Sequence, residues 1–372
     1  MGIATTEDLP GQRPARKCPP AGPGYARPMS LTSATNRPVE ISVNMKPVHR
    51  VMAAAPMQDV MGGCDRQEIR CYDHGFVALV DAMPRLVAPG QTADAAIVQA
   101  ARVSYGAGTK KVSEDRGLIR YLLRHRHTTP FEMVEFKFHI AMPIFIARQW
   151  IRHRTASVNE YSGRYSIMPD RFYRPTAENV RKQSGSNRQG GGDRFRVGGA
   201  GGGNAVTDEN GLMMNPPGAP TGPIDEAKTA AEFLKFLDDS EALYARYLNL
   251  TEQGVSREMA RIGLPVSLYT EWYWKCDLHN ILRFLSLRMD PHAQEEIRVY
   301  ATAMHDLIEP IVPVTMEAFR DYELESVRLT RLEIEALRSA GHKVRGSSTG
   351  EILTDNKREQ TEWDTKKNML GL

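Results

Sequence analysis

The segment Glu132–Met142 constrains the fold more than any other stretch, because its apolar and polar side chains alternate along the chain. The apolar set comprises Val134, Phe136, Phe138 and Ile140, and the polar set comprises Glu135, Lys137 and His139. A period of two predicts a β-strand with one buried face. Pro143 follows and is well tolerated in the first turn of a helix. A strand that runs into a helix and then a polar loop holds ligand-binding groups on a rigid support.

The helix predicted from Pro143 carries a basic face. At helical spacing, Phe145, Arg148, Gln149 and Arg152 share one face, and Ile144, Ala147 and Ile151 take the other with Trp150 beside them. His153 and Arg154 follow, and Asn159 to Arg164 is predicted to be a polar loop. Guanidinium groups bind phosphates and carboxylates well, so this face and loop indicate an anionic ligand. A solvated basic surface is the alternative that the chemistry leaves open.

The other predicted elements alternate helices with a few strands. Strands are predicted at 69–72 and 266–274, and helices at 92–104, 113–128, 223–252, 256–264, 277–288 and 292–308, with charged helical sequence over 314–341. We therefore expect an α/β protein of the α+β type, with a mixed central sheet and surrounding helices.

Composition predicts one folded domain over residues 67–341. Residues 1–66 are rich in Pro, Ala, Gly, Ser and Arg without periodicity, which predicts a disordered extension. Residues 182–222 contain glycine runs that cannot bury a core, which predicts a flexible insertion. Residues 342–372 are predicted to be a polar tail.

The charge balance and the missing motifs exclude several classes of protein. The 372 residues carry a formal net charge of +3, so bulk electrostatics does not favour a nucleic-acid partner. The four cysteines have no metal-type or disulfide-type spacing, and no histidine–carboxylate motif predicts a metal site. A Rossmann glycine motif and a nucleophile elbow are also lacking. Without an apolar run of membrane-spanning length or a signal pattern, we expect a cytoplasmic protein with no membrane association.

Arg288 ends an apolar helical stripe that also contains Ile281, Phe284 and Leu285. A guanidinium at the edge of a core needs an anionic partner, which can be a ligand. A structural ion pair or a snorkelling side chain explains the same pattern.

The order of these motifs resembles that of the flavin-dependent thymidylate synthases. Arg152-His153-Arg154 is followed after seven residues by Ser162, which is similar to the signature of that family. Further similar segments occur in the family's order: 100–104, 127–132, 147–150, 159–166, 257–265 and 284–294. The resemblance covers roughly residues 68–322 and is interrupted by the glycine-rich insertion.

The resemblance implies an enzyme that converts dUMP to dTMP with FAD, NADPH and methylenetetrahydrofolate. Reduced flavin would supply the hydride, so no active-site cysteine is required. The family also implies a homotetramer whose active sites are shared between subunits.

The same resemblance implies the roles of individual residues. Arg288 would be catalytic, stabilising negative charge on the uracil ring as it is activated. The dUMP site would comprise Gln149, Trp150, Ile151, Arg152, Glu160, Tyr161, Ser162, Gly163, Arg164, Arg261 and Arg288. The FAD site would comprise Thr129, Arg152, His153, Arg154, Glu160, Asp277, Leu278, His279 and Arg283, with Ser104, His127 and His292 as further candidates.

Two other functions fit part of the pattern. A non-catalytic RNA- or nucleotide-binding protein would use the arginine-rich helix and loop, although aromatic residues do not interleave with the basic cluster as stacking platforms usually do. A flavoprotein acting on another nucleotide would share most of the site.

Overall fold

The computed structural model describes residues 57–103, 115–183, 191–195, 225–332 and 357–370. The strands are β1 (Gln58–Asp59), β2 (Gln67–Cys71), β3 (Gly75–Met83), β4 (Leu86–Val87), β5 (Glu135–Pro143), β6 (Ser157–Glu160), β7 (Arg181–Gln183), β8 (Gly191–Arg194) and β9 (Tyr269–Asp277). The α-helices are α1 (Asp94–Val103), α2 (Asp115–Arg124), α3 (Ile144–Trp150), α4 (Glu226–Glu241), α5 (Leu243–Glu252), α6 (Arg257–Ala260), α7 (Leu278–Arg288), α8 (Glu295–Ile308), α9 (Pro313–Phe319) and α10 (Lys357–Leu370). The predicted α+β class is confirmed.

A five-stranded sheet in the order β2-β3-β5-β9-β6 organises the fold. All four of its strand pairings are antiparallel, so it is more regular than the mixed sheet that we expected. The register sets Phe138 of β5 opposite Trp274 of β9, and Ile140 opposite Trp272. Because opposed residues point to the same side of a sheet, one face becomes continuously apolar.

Helices α7 and α8 cover this apolar face. Phe284 of α7 and Tyr300 of α8 are fully buried in one core cluster with the inward residues of β5 and β9. Asp277 begins α7 as predicted, because its carboxylate accepts a hydrogen bond from the backbone N–H of Asn280 at 2.9 Å. The end of β9 therefore fixes the direction in which α7 leaves the sheet.

Several predicted element boundaries differ from the structure. The strand predicted over 132–142 begins at Glu135, because Thr129–Met133 form a 3₁₀-helix, and the helical sequence predicted over 314–341 is interrupted at 325–330. Helix α3 ends at Trp150, so Arg152 lies beyond the helix rather than on its face. Asn159 and Glu160, predicted to be loop, belong to β6 because β9 supplies their hydrogen-bonding partners. The helix predicted over 223–252 is divided at Ala242 into α4 and α5.

Several described residues lie in the segments assigned by composition to an extension, an insertion and a tail. In the predicted extension, residues 1–66, β1 pairs with β4, and Met61 is 1% exposed within the core. In the second, β8 pairs with β7. In the third, α10 contacts α2 through ion pairs. The ion pairs join segments more than two hundred residues apart, so local composition gives no sign of them. Residues 1–56 lie outside the described residues.

Among the helices in the described part of the chain, none combines the length and the apolar character that crossing a bilayer requires.

Candidate active site

One group of candidate residues surrounds the guanidinium of Arg288, at the end of α7. Its Nε donates a hydrogen bond to Nε2 of His153 at 3.1 Å, and an Nη donates to the backbone carbonyl of Gln149 at 3.3 Å. Within the described residues, no carboxylate lies within salt-bridge distance of Arg288, and burial lowers its pKa from the ordinary value. The anionic partner expected from the sequence is therefore not supplied by the described part of this chain.

His153 is held as a neutral imidazole. Burial and, to a smaller extent, the positive charges of Arg288 and Arg283 together lower its pKa to about 4. A neutral ring has one acceptor nitrogen, and the bond from Arg288 identifies that atom as Nε2. The ring also packs edge-on against Phe284, with centroids 4.9 Å apart. His153 and the end of α3 thus fix the orientation of the Arg288 side chain.

The loop that follows β6 and contains Ser162, Gly163 and Arg164 forms a second group of candidate residues. It lies at the end of β6 that is further along the chain from His153. The hydroxyl of Thr270 donates to a carboxylate oxygen of Glu160 at 2.8 Å, and the backbone N–H of Tyr161 donates to the carbonyl of Glu271. The chain then turns on Ser162, whose carbonyl accepts from the N–H groups of Tyr165 and Ser166. The β6–β9 pairing therefore sets where this loop begins.

Gly163 allows the loop to approach Arg261 closely. A Cβ at this position would lie 3.2 Å from Cδ of Arg261 and 2.7 Å from Sδ of Met168. Two further contacts join the loop to α6. Nε of Arg164 lies 3.4 Å from Oε2 of Glu258, and Nη1 of Arg257 donates a hydrogen bond to the carbonyl of Tyr165 at 2.7 Å. The structure thus brings the two predicted dUMP segments, the loop and the Arg261 segment, together.

The candidates for the FAD site gather near the other end of β9. Residues Thr129–Met133 form a 3₁₀-helix whose following residue, Val134, accepts a hydrogen bond from the N–H of Leu278. Arg283 lies one turn along α7 from His279 and is close enough to His153 to influence its pKa. Arg152, Arg154, Arg283 and Thr129 are all exposed. Exposed guanidinium and hydroxyl donors of this kind can bind a diphosphate.

The loop that follows β6 and the FAD candidates at the start of α7 are separated along the sheet. Glu160 pairs with Trp272, and Asp277 lies five residues further along β9. At the rise of a β-strand this separation is about 17 Å. Within one chain, the loop that follows Glu160 and the start of α7 therefore lie apart along β9.

Burial places two of the predicted site residues in the core. The side chains of Trp150 and Leu278 are fully buried in the core, and Trp150 stacks on Phe284 with centroids 4.4 Å apart. Their side chains can support a ligand site from within the core but do not line its surface. His292 points to solvent and bonds to Asp290, and Ser104 lies outside the described residues.

Two residues that the sequence analysis did not select form hydrogen bonds with predicted site residues. Thr270 binds Glu160, and Gln294 accepts a hydrogen bond from the side-chain amide of Gln149. Both contacts join segments more than a hundred residues apart, so spacing along the chain gives no sign of them. Gln294 does fall within a motif-like segment, 284–294, which is the one available signal.

The described residues contain no group of three or more histidine, cysteine, aspartate or glutamate side chains that could hold a metal ion.

Comparisons with known proteins agree with the order of the motifs. The family model described as thymidylate synthase complementing protein, Thy1, matches residues 85–314. A flavin-dependent thymidylate synthase from Dictyostelium discoideum is 56% identical over 333 residues, covering 89% of this chain and 97% of that protein. One from Wolbachia pipientis wMel is 47% identical over 273 residues, covering 73% of this chain and 83% of that protein.

Solved structures of the same fold are also similar. A UMP/dUMP methylase, PolB from Streptomyces cacaoi, bound with 5-Br UMP, matches with a TM-score of 0.52 and 32% identity, covering 70% of this chain and 99% of that one. The form bound with 5-Br dUMP matches with a TM-score of 0.51 and 31% identity, covering 68% of this chain and 98% of that one. The fold and these matches define a methyltransferase. The chain belongs to the family of flavin-dependent thymidylate synthases, as its motifs predicted.

Proposed function

We propose that this protein catalyses the reductive methylation of dUMP to dTMP. Methylenetetrahydrofolate would donate the one-carbon unit, and FAD reduced by NADPH would supply the hydride when bound. The observation that carries the proposal is the Arg288 group, in which a half-buried guanidinium is fixed by His153 and by the carbonyl of Gln149.

The chemistry of Arg288 suits a ring that becomes negatively charged. Both of its acceptors are neutral, because the carbonyl carries no charge and the low pKa of His153 keeps the imidazole unprotonated. The positive charge is therefore left for a ligand, in a partly desolvated place where charge interactions are stronger than in water. A guanidinium held in advance against a developing anion stabilises it without reorganisation.

The residues near the start of α7 fit FAD by their donor chemistry. Arg152, Arg154 and Arg283 are exposed around His153 and offer charged donors to a diphosphate. Thr129 offers a hydroxyl from a neighbouring 3₁₀-helix. We propose that these residues bind and orient the cofactor, with Asp277 fixing the helix that carries Arg283.

Two of the three described cysteines, Cys71 and Cys276, are buried, which supports a mechanism in which neither acts as a thiolate nucleophile, and the third, Cys64, is exposed. Burial raises the pKa of both Cys71 and Cys276 to about 12. The Cys276 thiol also donates a hydrogen bond to the carbonyl of Thr155 at 3.2 Å. A protonated thiol in the core cannot attack a nucleotide ring, because thiolate is the nucleophilic form.

We further propose that the active site is shared between subunits of a homotetramer. The separation of about 17 Å between Glu160 and the start of α7 supports this, because both regions carry predicted cofactor contacts. Light scattering during gel filtration would give the mass of the assembly. Mixing two inactive variants, Arg261→Ala and Arg288→Ala, should restore activity if different subunits contribute these residues.

A second candidate substrate is UMP. The solved relative from Streptomyces cacaoi is described as a UMP/dUMP methylase, and its structures contain analogues of both nucleotides. Assays with dUMP and UMP under the same conditions decide between the two.

The visible spectrum of the anaerobic protein tests the main proposal. A flavin band should bleach with NADPH, and 5-methylated product should form once dUMP and methylenetetrahydrofolate are added. A protein that takes up no FAD would remove the synthase proposal. Salt-dependent binding to RNA without turnover would instead favour a nucleic-acid-binding surface.

A further inference from the structure

The acidic side chains of α10 hold the end of α2. Arg120 donates to both carboxylate oxygens of Glu359, at 2.8 and 3.3 Å, and Arg124 donates to the same carboxylate at 3.3 Å. Glu359 is 5% exposed. Although burial alone would raise its pKa, hydrogen bonds from Arg120 and Tyr322 lower it to about 2. The carboxylate is therefore charged, and it binds two arginines one turn apart on α2.

A second carboxylate of α10 reaches the last residues of α2. Glu362 accepts from Nε and Nη2 of Arg124, the latter at 2.8 Å, and lies 3.0 Å from Nε2 of His125. Tyr322 completes the cluster, because the guanidinium of Arg120 lies 4.8 Å from its ring centroid. We call Arg120, Arg124, Tyr322, Glu359 and Glu362 the α2–α10 clamp.

The chain turns sharply where the clamp ends. Arg126 has a φ of 59°, a left-handed conformation that is strained for a residue with a Cβ. The N–H of His127 bonds back to the carbonyl of Leu122 at 2.8 Å, which closes the end of the helix. The ring of Tyr121 lies 5.9 Å from that of His127 and 4.4 Å from that of His125. Strained backbone of this kind persists only where its surroundings fix it.

We propose that Glu359 and Glu362 are positioning residues for the turn His127–Thr129. The clamp fixes the last turn of α2, that turn fixes the left-handed Arg126, and Arg126 sets the direction in which Thr129 and its 3₁₀-helix leave. Since the family model matches residues 85–314, both glutamates lie outside the part of the chain that it covers. The inference rests on the proposed function, in which Thr129 contacts FAD.

Two measurements on the full-length chain test this proposal with Glu362→Gln and Glu359→Gln. In Glu362→Gln, the Kd for FAD, followed by flavin fluorescence, should rise about ten-fold, while the Kd for dUMP stays within two-fold, because only the turn is loosened. Hydrogen exchange of the backbone amides at 125–131 should be faster than in the wild type. If Glu359→Gln does not fold, Glu362→Gln alone decides, since Glu362 is the more exposed of the two.

Glu309→Gln is the matched control, because its ion pair with Arg320 is also formed by a carboxylate and an arginine but lies on the surface. It should change neither FAD affinity nor amide exchange. Unchanged exchange at 125–131 in Glu362→Gln, or faster exchange with unchanged FAD affinity, would overturn the proposal. A wild-type protein that binds no FAD would defeat the proposed function instead, and the exchange measurement would still show whether the clamp holds the turn.

Discussion

Arg288 and His153 lie 135 residues apart in the chain, and their side chains are joined by one hydrogen bond, from Nε of the arginine to Nε2 of the histidine at 3.1 Å. This bond makes each residue depend on the other. Burial, with a further contribution from the positive charge of the arginine, keeps the histidine neutral, and the arginine selects its acceptor nitrogen. The histidine fixes the orientation of the arginine side chain without neutralising its charge. One residue of the signature therefore orients the residue that we propose as catalytic.

Replacing Arg288 should affect catalysis much more than cofactor binding. In Arg288→Ala, we expect kcat for dUMP methylation to fall by about 10² to 10³, the range for losing one preorganised donor to a developing anion. Arg288→Lys should recover little, because an ammonium lacks the guanidinium geometry that binds His153 and Gln149 together. The Kd for FAD should change less than two-fold.

Arg246→Ala provides the control, because the side chain of this exposed arginine on α5 makes no hydrogen bond or ion pair with a site residue in the described part of the chain. A kcat for Arg288→Ala within five-fold of the wild type would contradict the role assigned to this residue.

The low pKa of His153 predicts a loss of stability in mild acid. The folded pKa is about 4 and the ordinary value is 6.5, so between these pH values the unfolded chain takes up a proton that the folded protein does not. The free energy of unfolding should therefore fall by about 1 to 2 kcal/mol between pH 7.5 and pH 5 on account of this residue. Urea titrations of the wild type and of His153→Gln at both pH values measure it as the difference between the two proteins. Parallel pH dependences would show that His153 titrates normally.

The parts of the fold that the sequence predicts well are those with strong local periodicity. The alternation around Phe136 and Phe138 predicts β5, and the apolar stripe containing Phe284 together with the capping Asp277 predicts α7. Arg288 could be selected as a candidate site residue because it ends that stripe. In each case the signal lies within about ten residues, where side-chain spacing alone determines which face is buried.

The parts of the fold that the sequence predicts poorly depend on contacts with residues that are distant in the chain. Glu160 looks like a loop residue until β9 pairs with it, and Trp150 looks like a ligand contact until Phe284 stacks on it. The anchoring of α10 depends on Arg120 and Arg124, more than two hundred residues earlier. Which residues hold the site residues in place is therefore a property of the folded chain rather than of its motifs.

Adding one methyl group at Gly163 should weaken dUMP binding. In Gly163→Ala, the new Cβ would lie 2.7 Å from Sδ of Met168 and 3.2 Å from Cδ of Arg261, so both side chains must move. We expect the KM for dUMP to rise about ten-fold with a smaller change in kcat, and the stability to fall by about 1 kcal/mol from overpacking.

Gly263→Ala is the control, because a Cβ there meets no atom within 4 Å although it lies only two residues from Arg261. Steady-state kinetics of both variants would show the effect, and equal KM values would contradict the close approach of the loop to Arg261.

Asp94 should be among the most sensitive positions for stability, because it joins the start of α1 to the start of α9. Its carboxylate is buried and accepts from the N–H of Val314 at 2.9 Å and from the hydroxyl of Thr315 at 2.6 Å. Asp94→Ala would leave these donors buried without an acceptor, so we expect a loss of about 2 to 4 kcal/mol in the free energy of unfolding. Asp306→Ala, at an exposed carboxylate on α8, should cost less than about 1 kcal/mol. Urea denaturation compares the two, and a loss of similar size in both variants would show that Asp94 does not join these helices.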